Sequence, residues 1–198
     1  MPEKNLRFAV ICFANMNRSM EAHKRLKKKG FDVKSYGVCD RIRMLCHIEG
    51  KANVYSFGMK YSYIYNDLVK KNKDYYKKIG LLDMVRRNMK IKSGPERFQS
   101  TKERFDVLIT CDERAYHRVK EFMEGKNEDS SSCKQPVYLI NVGIKDDIAS
   151  AASGSYLICE LATTIASCEN LDDNFDELVA KFETDVYKKP ILRTVLFY

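Results

Sequence analysis

The chain carries no Cys-x-x-Cys pair, no unbroken run of 18 apolar residues and only three histidines. Each absence removes a class of protein. Its seven cysteines, at 12, 39, 46, 111, 133, 159 and 168, are an odd number without paired spacing. That argues against a disulfide framework and against a structural zinc site. Without a long apolar run, no membrane span is expected. The first residues are charged and lead straight into Phe8 to Cys12, an apolar stretch too short for a signal-peptide core and better suited to a strand. An intracellular, reducing compartment is the simplest expectation. Internal repeats, zinc-finger spacings and RNA-recognition aromatic motifs are also missing.

What is present is a 198-residue chain, 44% hydrophobic, with a net charge of +8. That length supports one buried core, so one domain over residues 1–198 is expected. The positive charge favours acidic partners, but it also serves solubility. The lysine clusters at 27–29, 70–71 and 77–78 fall near expected helix ends, where cations complement the helix dipole. They need no nucleic acid to explain them, and no direct nucleic-acid contact is expected.

Leu6 to Cys12 reads as a buried strand, Ser19 to Lys29 as a helix stopped at Gly30, and Phe31 to Tyr36 as a second strand. Strand, loop, helix and strand make a βαβ unit with a parallel sheet. Gly37 to Ala52 reads as an irregular surface loop, and Asn53 to Phe57 as a short extended piece. Tyr61, Ile64, Tyr65 and Leu68 repeat at helical spacing, giving a helix over Lys60 to Lys71. One or two more are expected between Lys73 and Asn88. Asp106 to Thr110 is a third strand, Asp112 to Met123 a helix, and the polar stretch Gly125 to Cys133 a loop. Pro136 to Val142 is a fourth strand, Ile148 to Cys168 holds a long helix, and a C-terminal helix is expected over 172–188. Ile191 to Phe197 is β-prone. The sum is an α/β fold: a doubly wound, mainly parallel sheet of four to five strands with helices on both faces, and extra helices within about 58–90.

In such folds ligands bind at the carboxyl ends of strands. The first such end reads Cys12-Phe13-Ala14-Asn15-Met16-Asn17-Arg18-Ser19. A Cys-x5-Arg spacing alone is unspecific in a basic chain with seven cysteines. Its setting between a strand and a helix start adds weight. A loop of this length can turn successive N–H groups inward as a nest for a tetrahedral anion, next to the positive end of the helix. Cys12 at the base would then be a thiolate nucleophile, favoured by the amide dipoles and Arg18. Arg18 would grip two phosphate oxygens with its planar fork. Ser19 could hydrogen-bond the thiolate. Asn15 and Asn17 tolerate left-handed backbone. The alternative is a buried strand-end cysteine beside an exposed helix arginine.

The loop Cys12 to Ser19, continued by Met20-Glu21-Ala22-His23, resembles the RNA polymerase II carboxy-terminal-domain serine phosphatases, relatives of the low-molecular-weight tyrosine phosphatases. Further matching stretches are Asn53-Val54-Tyr55, Tyr65-Asn66-Asp67-Leu68, Pro95-Glu96-Arg97-Phe98-Gln99, Leu108-Ile109-Thr110-Cys111 and Leu196-Phe197-Tyr198. The resemblance implies a phosphoserine–proline substrate in the polymerase heptad repeat, taken with the proline cis. It implies a symplekin-like scaffold partner, a nuclear location, and no metal or other cofactor. Arg43 and Met84 resemble groove residues. There are three departures from the family pattern. Phe13 and Ala14 replace two serines, adding bulk expected near the mouth. Met44-Leu45-Cys46 replaces a Leu-Pro-Gly turn. Gly143 stands where the family has its general-acid aspartate, with Asp146 and Asp147 downstream as substitutes if the loop shifts.

Losing the acid should hurt a serine alkoxide leaving group far more than a phenolate, whose conjugate acid has a pKa of about 10. Two readings follow: a phosphatase slow toward serine, or a phosphopeptide- or symplekin-binding module with a phosphatase fold. A third, reduction of an oxyanion such as arsenate, would need Cys39 or Cys46 as a resolving thiol. His23 and His117 read as packing or surface residues, and His47 lies in the loop near the expected site.

Overall fold

The computed structural model describes residues 6–126 and 135–198. The expected loop at Gly125 to Cys133 therefore falls mostly outside the described residues. The five-stranded sheet has the order β2-β1-β5-β6-β7, built from β1 (Arg7–Cys12), β2 (Asp32–Gly37), β5 (Val107–Thr110), β6 (Pro136–Asn141) and β7 (Arg193–Phe197). β1 pairs in parallel with β2 and β5, and β5 with β6, while β7 closes the edge antiparallel to β6. From β1 the chain crosses to one side through β2 and returns on the other through β5. The carboxyl end of β1, where Cys12 lies, therefore stands at the switch point of the sheet.

Side chains along β1 alternate between two cores, which is why the strand reads as a continuous apolar run. Phe8, Val10 and Cys12 face α1 (Arg18–Lys28), α5 (Ile148–Ala166) and α6 (Leu171–Phe182). Ala9 and Ile11 face α4 (Glu113–Lys126) through Ala115, Val119 and Met123. Among the described residues α5 alone is long and apolar enough to cross a membrane, with mean hydropathy 1.2. Here its Ile158, Leu161, Ala162 and Ile165 are buried against the sheet.

A third core belongs to the segment between β2 and β5. It joins α2 (Tyr61–Lys78), α3 (Leu81–Met89) and the hairpin of β3 (Ile42–Leu45) and β4 (Ala52–Tyr55), and it reaches Met16 and Met20 at the head of α1. The irregular loop expected over Gly37 to Ala52 is thus corrected. Ile42 and Met44 are buried while Arg43 and Leu45 are exposed, a period of two too brief to stand out in the sequence. The hairpin is pinned by Tyr76, whose hydroxyl bonds His47 Nδ1 at 3.0 Å and Asn53 Nδ2 at 2.9 Å. His47 is therefore tied to α2. The helix expected over Lys60 to Lys71 runs on to Lys78 across a break at Asn72, whose side-chain oxygen accepts from Tyr75 N at 3.0 Å and restarts it.

The C-terminal helix expected over 172–188 ends earlier, at Phe182, and passes into a π turn over Glu183–Tyr187. Lys188 adopts a left-handed conformation, and its N–H bonds Glu183 O at 2.8 Å. Pro190 then bars any helical continuation.

His23 is buried on α1, 2.8 Å from Ser35 Oγ. Burial, with Lys92, Lys27 and Lys34 nearby, pushes its pKa down to about 4. A folded pKa below the unfolded value of about 6.5 means the unfolded chain binds the proton first. Stability is then full above pH 6.5 and falls as pH drops toward 4, by on the order of 3 kcal/mol. Urea unfolding of wild type and His23→Asn at pH 7.5, 5.5 and 4.5 should show the smaller decline in the variant. Parallel declines would remove His23 as the cause.

Candidate active site

β1 delivers Cys12, 3% exposed, with its Sγ 3.1 Å from Ser19 Oγ on the first turn of α1. Asn15 is the hinge between them. Its φ of 54° is a left-handed conformation that asparagine accepts more readily than most residues. Its Nδ2 donates to Ser19 Oγ at 3.0 Å, and its Oδ1 accepts from Glu96 N at 3.0 Å. β2 ends against this loop at Gly37, where a Cβ would meet Ala14 C and Asn15 N at 2.9 Å. Only glycine permits that approach.

The third core fastens the loop from outside. Tyr61 Oη donates to Asn15 O at 2.6 Å, and Asn88 Nδ2 to Met16 O at 2.7 Å. Arg87 Nη2 donates to Met16 O at 2.9 Å and Asn17 O at 3.3 Å, while its Nη1 pairs with Glu21. In a trans peptide the C=O and N–H point opposite ways. With carbonyls 15, 16 and 17 bonded to these side chains, the amides of 16, 17 and 18 face away from Tyr61, Arg87 and Asn88. Successive amides turned to one side at a helix start are an arrangement that can hold an oxyanion.

Arg18 lies buried beside it, 4% exposed. Its Nη2 is 2.8 Å from Asp112 Oδ2 and 3.4 Å from Asp146 Oδ2, and its Nη1 donates to Ile144 O at 3.0 Å and Cys111 O at 3.3 Å. The Asp112 contact is an ion pair without well-aligned hydrogen-bond geometry. Burial works against the charged guanidinium, yet Cys12, Asp146, Cys111 and Asp112 outweigh it and hold the pKa above the ordinary arginine value. Arg18 Nε is buried with no hydrogen-bond partner among the described residues.

Asp146 and Asp147 are separated by their surroundings. Both line the same groove as Cys12, but only Asp146 reaches the loop: it is 58% exposed, accepts from Asn17 Nδ2 at 3.3 Å and lies 3.4 Å from Arg18 Nη2. Asp147 caps α5, accepting from Ser150 N and Ser150 Oγ, both at 2.7 Å, and these bonds hold its carboxyl below the usual range. Gly143 carries no side chain, and its carbonyl accepts from Tyr187 Oη at 2.8 Å. A Cβ there would lie 3.1 Å from that hydroxyl.

The groove, about 380 Å³, includes Cys12, Ala14, Arg43, Leu45, Met84 and Asp146 in its walls. Arg43 and Met84, which resemble groove residues of the family, lie in these walls. Phe13 does not. Its ring packs on α4 with the Arg114 guanidinium 4.6 Å and Arg118 5.7 Å from its centroid. The bulk expected at the mouth is instead turned into the second core, because side chains 12 and 13 still alternate at the strand end. Burial pushes the Cys39 thiol up to about 11, and Cys46 rests near Tyr76 outside the groove walls. Neither supports a resolving thiol for oxyanion reduction. Sequence reasoning missed Tyr61, Arg87, Asn88, Asp112 and Tyr187. Only Asp112, an acidic residue between a strand and a helix, carried a readable signal: its Oδ1 caps α4 through Ala115 N at 2.9 Å.

The profile of the Ssu72-like protein family matches residues 6–198. The chain belongs to that family. It is 44% identical over 198 residues, and the whole of both chains, to the RNA polymerase II C-terminal domain phosphatase SSU72 of Danio rerio. Identity is 42% to the Homo sapiens protein of that name and 39% to Homo sapiens SSU72 like protein 2, again over both full lengths. Among solved structures, the Drosophila melanogaster family member superposes with a TM-score of 0.92 at 45% identity, covering 98% of this chain and all of that one. The D. melanogaster Ssu72 complex with Symplekin and a cis peptidomimetic phosphoserine CTD peptide gives 0.91 at 44% identity, covering 98% and 99%.

The donor from Tyr61 to the Asn15 carbonyl is buried on both sides. Tyr61→Phe should cost about 1–3 kcal/mol in urea unfolding, the desolvation penalty of one orphaned buried acceptor. An unchanged midpoint would show that the loop is not held from this side.

Proposed function

We propose that this chain is a cysteine-dependent phosphatase for phosphoserine–proline in the C-terminal domain of RNA polymerase II, with Asp146 as its acid. The observation that carries the reading is Cys12 within reach of Ser19, under a loop whose carbonyls are tied outward, with Arg18 buried alongside. The relatives' name and the complex with a phosphoserine peptide support the substrate class. The same complex supports a symplekin-like scaffold as partner, and polymerase as substrate makes the nucleus the compartment of this reading.

In the first step Cys12 Sγ attacks phosphorus and the bond to the serine oxygen breaks. The inward amides and Arg18 take the charge on the equatorial oxygens. Arg18 Nε, buried and unpartnered, has a donor free for one of them. The departing alkoxide takes a proton from the Asp146 carboxyl. In the second step Asp146 carboxylate receives a proton from water, whose oxygen attacks the cysteinyl phosphate. Inorganic phosphate leaves and the thiolate returns, stabilised by the Ser19 hydroxyl. Asp147 is less suited to the acid role, since capping of α5 favours its ionised form. Gly143, where the family resemblance implies the acid, supplies no carboxyl.

Cys12→Ser should abolish turnover of both a phosphoserine–proline heptad peptide and para-nitrophenyl phosphate. Asp146→Asn should slow the serine peptide by about 100-fold or more and the aryl phosphate far less, because only the alkoxide needs the proton. Equal rates in Asp146→Asn and wild type would sink the acid assignment. Gly143→Asp should be made together with Tyr187→Phe, which clears the hydroxyl facing the new Cβ; a gain in serine turnover is expected. Gly143 also favours a second reading, a phosphopeptide-binding module. Peptide binding by wild type without phosphate release from either substrate would establish it in place of the enzyme.

A further inference from the structure

A second groove, about 760 Å³, runs between α1 and α5 on a face the catalytic groove does not use. Lys24, Arg25 and Lys28 of α1, Lys29 at its C-cap, and Tyr156 and Glu160 of α5 line it. Arg25 is held in place. Its Nε donates to the buried Ser155 Oγ at 2.8 Å, and its guanidinium carbon lies over the Tyr156 ring, 3.2 Å from the centroid. It has no acidic partner among the described residues, nor do Lys28 and Lys29, and Lys24 reaches only Glu21 at 3.5 Å. Of the two carboxylates in the groove, Glu21 is engaged by Arg87. A positioned guanidinium with its terminal nitrogens unused, flanked by unpaired ammonium groups, fits a doubly charged tetrahedral oxyanion.

We propose that this groove binds the phosphate of a second phosphorylated repeat in the peptide whose first phosphate is at Cys12. The inference rests on the phosphopeptide reading above. The spacing allows it. Along α1, Arg25 lies about 10 Å and Lys28 about 15 Å from Arg18, while seven extended residues span up to about 25 Å. Charge complementarity selects a phosphorylated peptide over an apolar one.

The test uses the full chain carrying Cys12→Ser, with fluorescently labelled one-repeat singly phosphorylated and two-repeat doubly phosphorylated peptides. Anisotropy should show the two-repeat peptide binding about tenfold tighter. Arg25→Glu with Lys28→Glu should abolish that advantage and leave one-repeat binding alone. Lys28→Glu with Lys29→Glu, both on exposed side chains, repeats the test without touching Ser155 or Tyr156. Equal affinity for the two peptides, or an advantage that survives both charge reversals, overturns the proposal. So does a single-stranded RNA dodecamer that binds tighter than the two-repeat peptide and responds to the same reversals. Turnover of para-nitrophenyl phosphate by the Cys12 protein reports separately on the catalytic reading. Its absence, with the two-repeat advantage intact, removes the enzyme and leaves the groove.

Discussion

Everything proposed for this site depends on the direction of three carbonyls. Asn15, Met16 and Asn17 have theirs drawn outward by Tyr61, Asn88 and Arg87. A nest of amides is otherwise an unfavourable arrangement, since it concentrates like partial charges at one point. Here the opposing ends of the same peptides are each bonded to a side chain of a separate core. The residues that touch the site are thus held by residues that do not.

The same loop concentrates formal charge. Arg18 is almost wholly buried, and a buried cation needs compensation nearby. It comes from Asp112, Asp146 and two backbone carbonyls. Asp146 has a double situation: it neutralises Arg18 while half its surface faces water at the groove. A phosphate dianion arriving beside Arg18 would compete for that guanidinium and weaken the pair.

The parallel sheet and the loop were legible in the sequence because each is local. Phe8 to Cys12 is an apolar run of strand length, and Arg18 follows at a spacing the strand-to-helix turn accommodates. The hairpin of β3 and β4 was not legible, because four-residue strands give too few alternations and its register depends on Tyr76 far along the chain. Phe13 was misjudged for a related reason. Its neighbours in the sequence are site residues, but strand alternation sends its ring to α4. The grip of Arg87 and Asn88 on the loop is set by packing across some seventy residues, and no spacing in the chain announces it.

The break in α2 at Asn72 divides that helix into a part against the loop and a part under the hairpin. Tyr61 lies on the first and Tyr76 on the second, yet both belong to one cluster separate from the two cores that cover the sheet. Local opening follows such divisions, with free energies below that of global unfolding. The sheet and its flanking helices can therefore persist while the cluster loosens and the nest relaxes. Heat or denaturant would then free the loop around Cys12 before melting the sheet, leaving a chain folded by most spectroscopic measures whose proposed anion site has come apart.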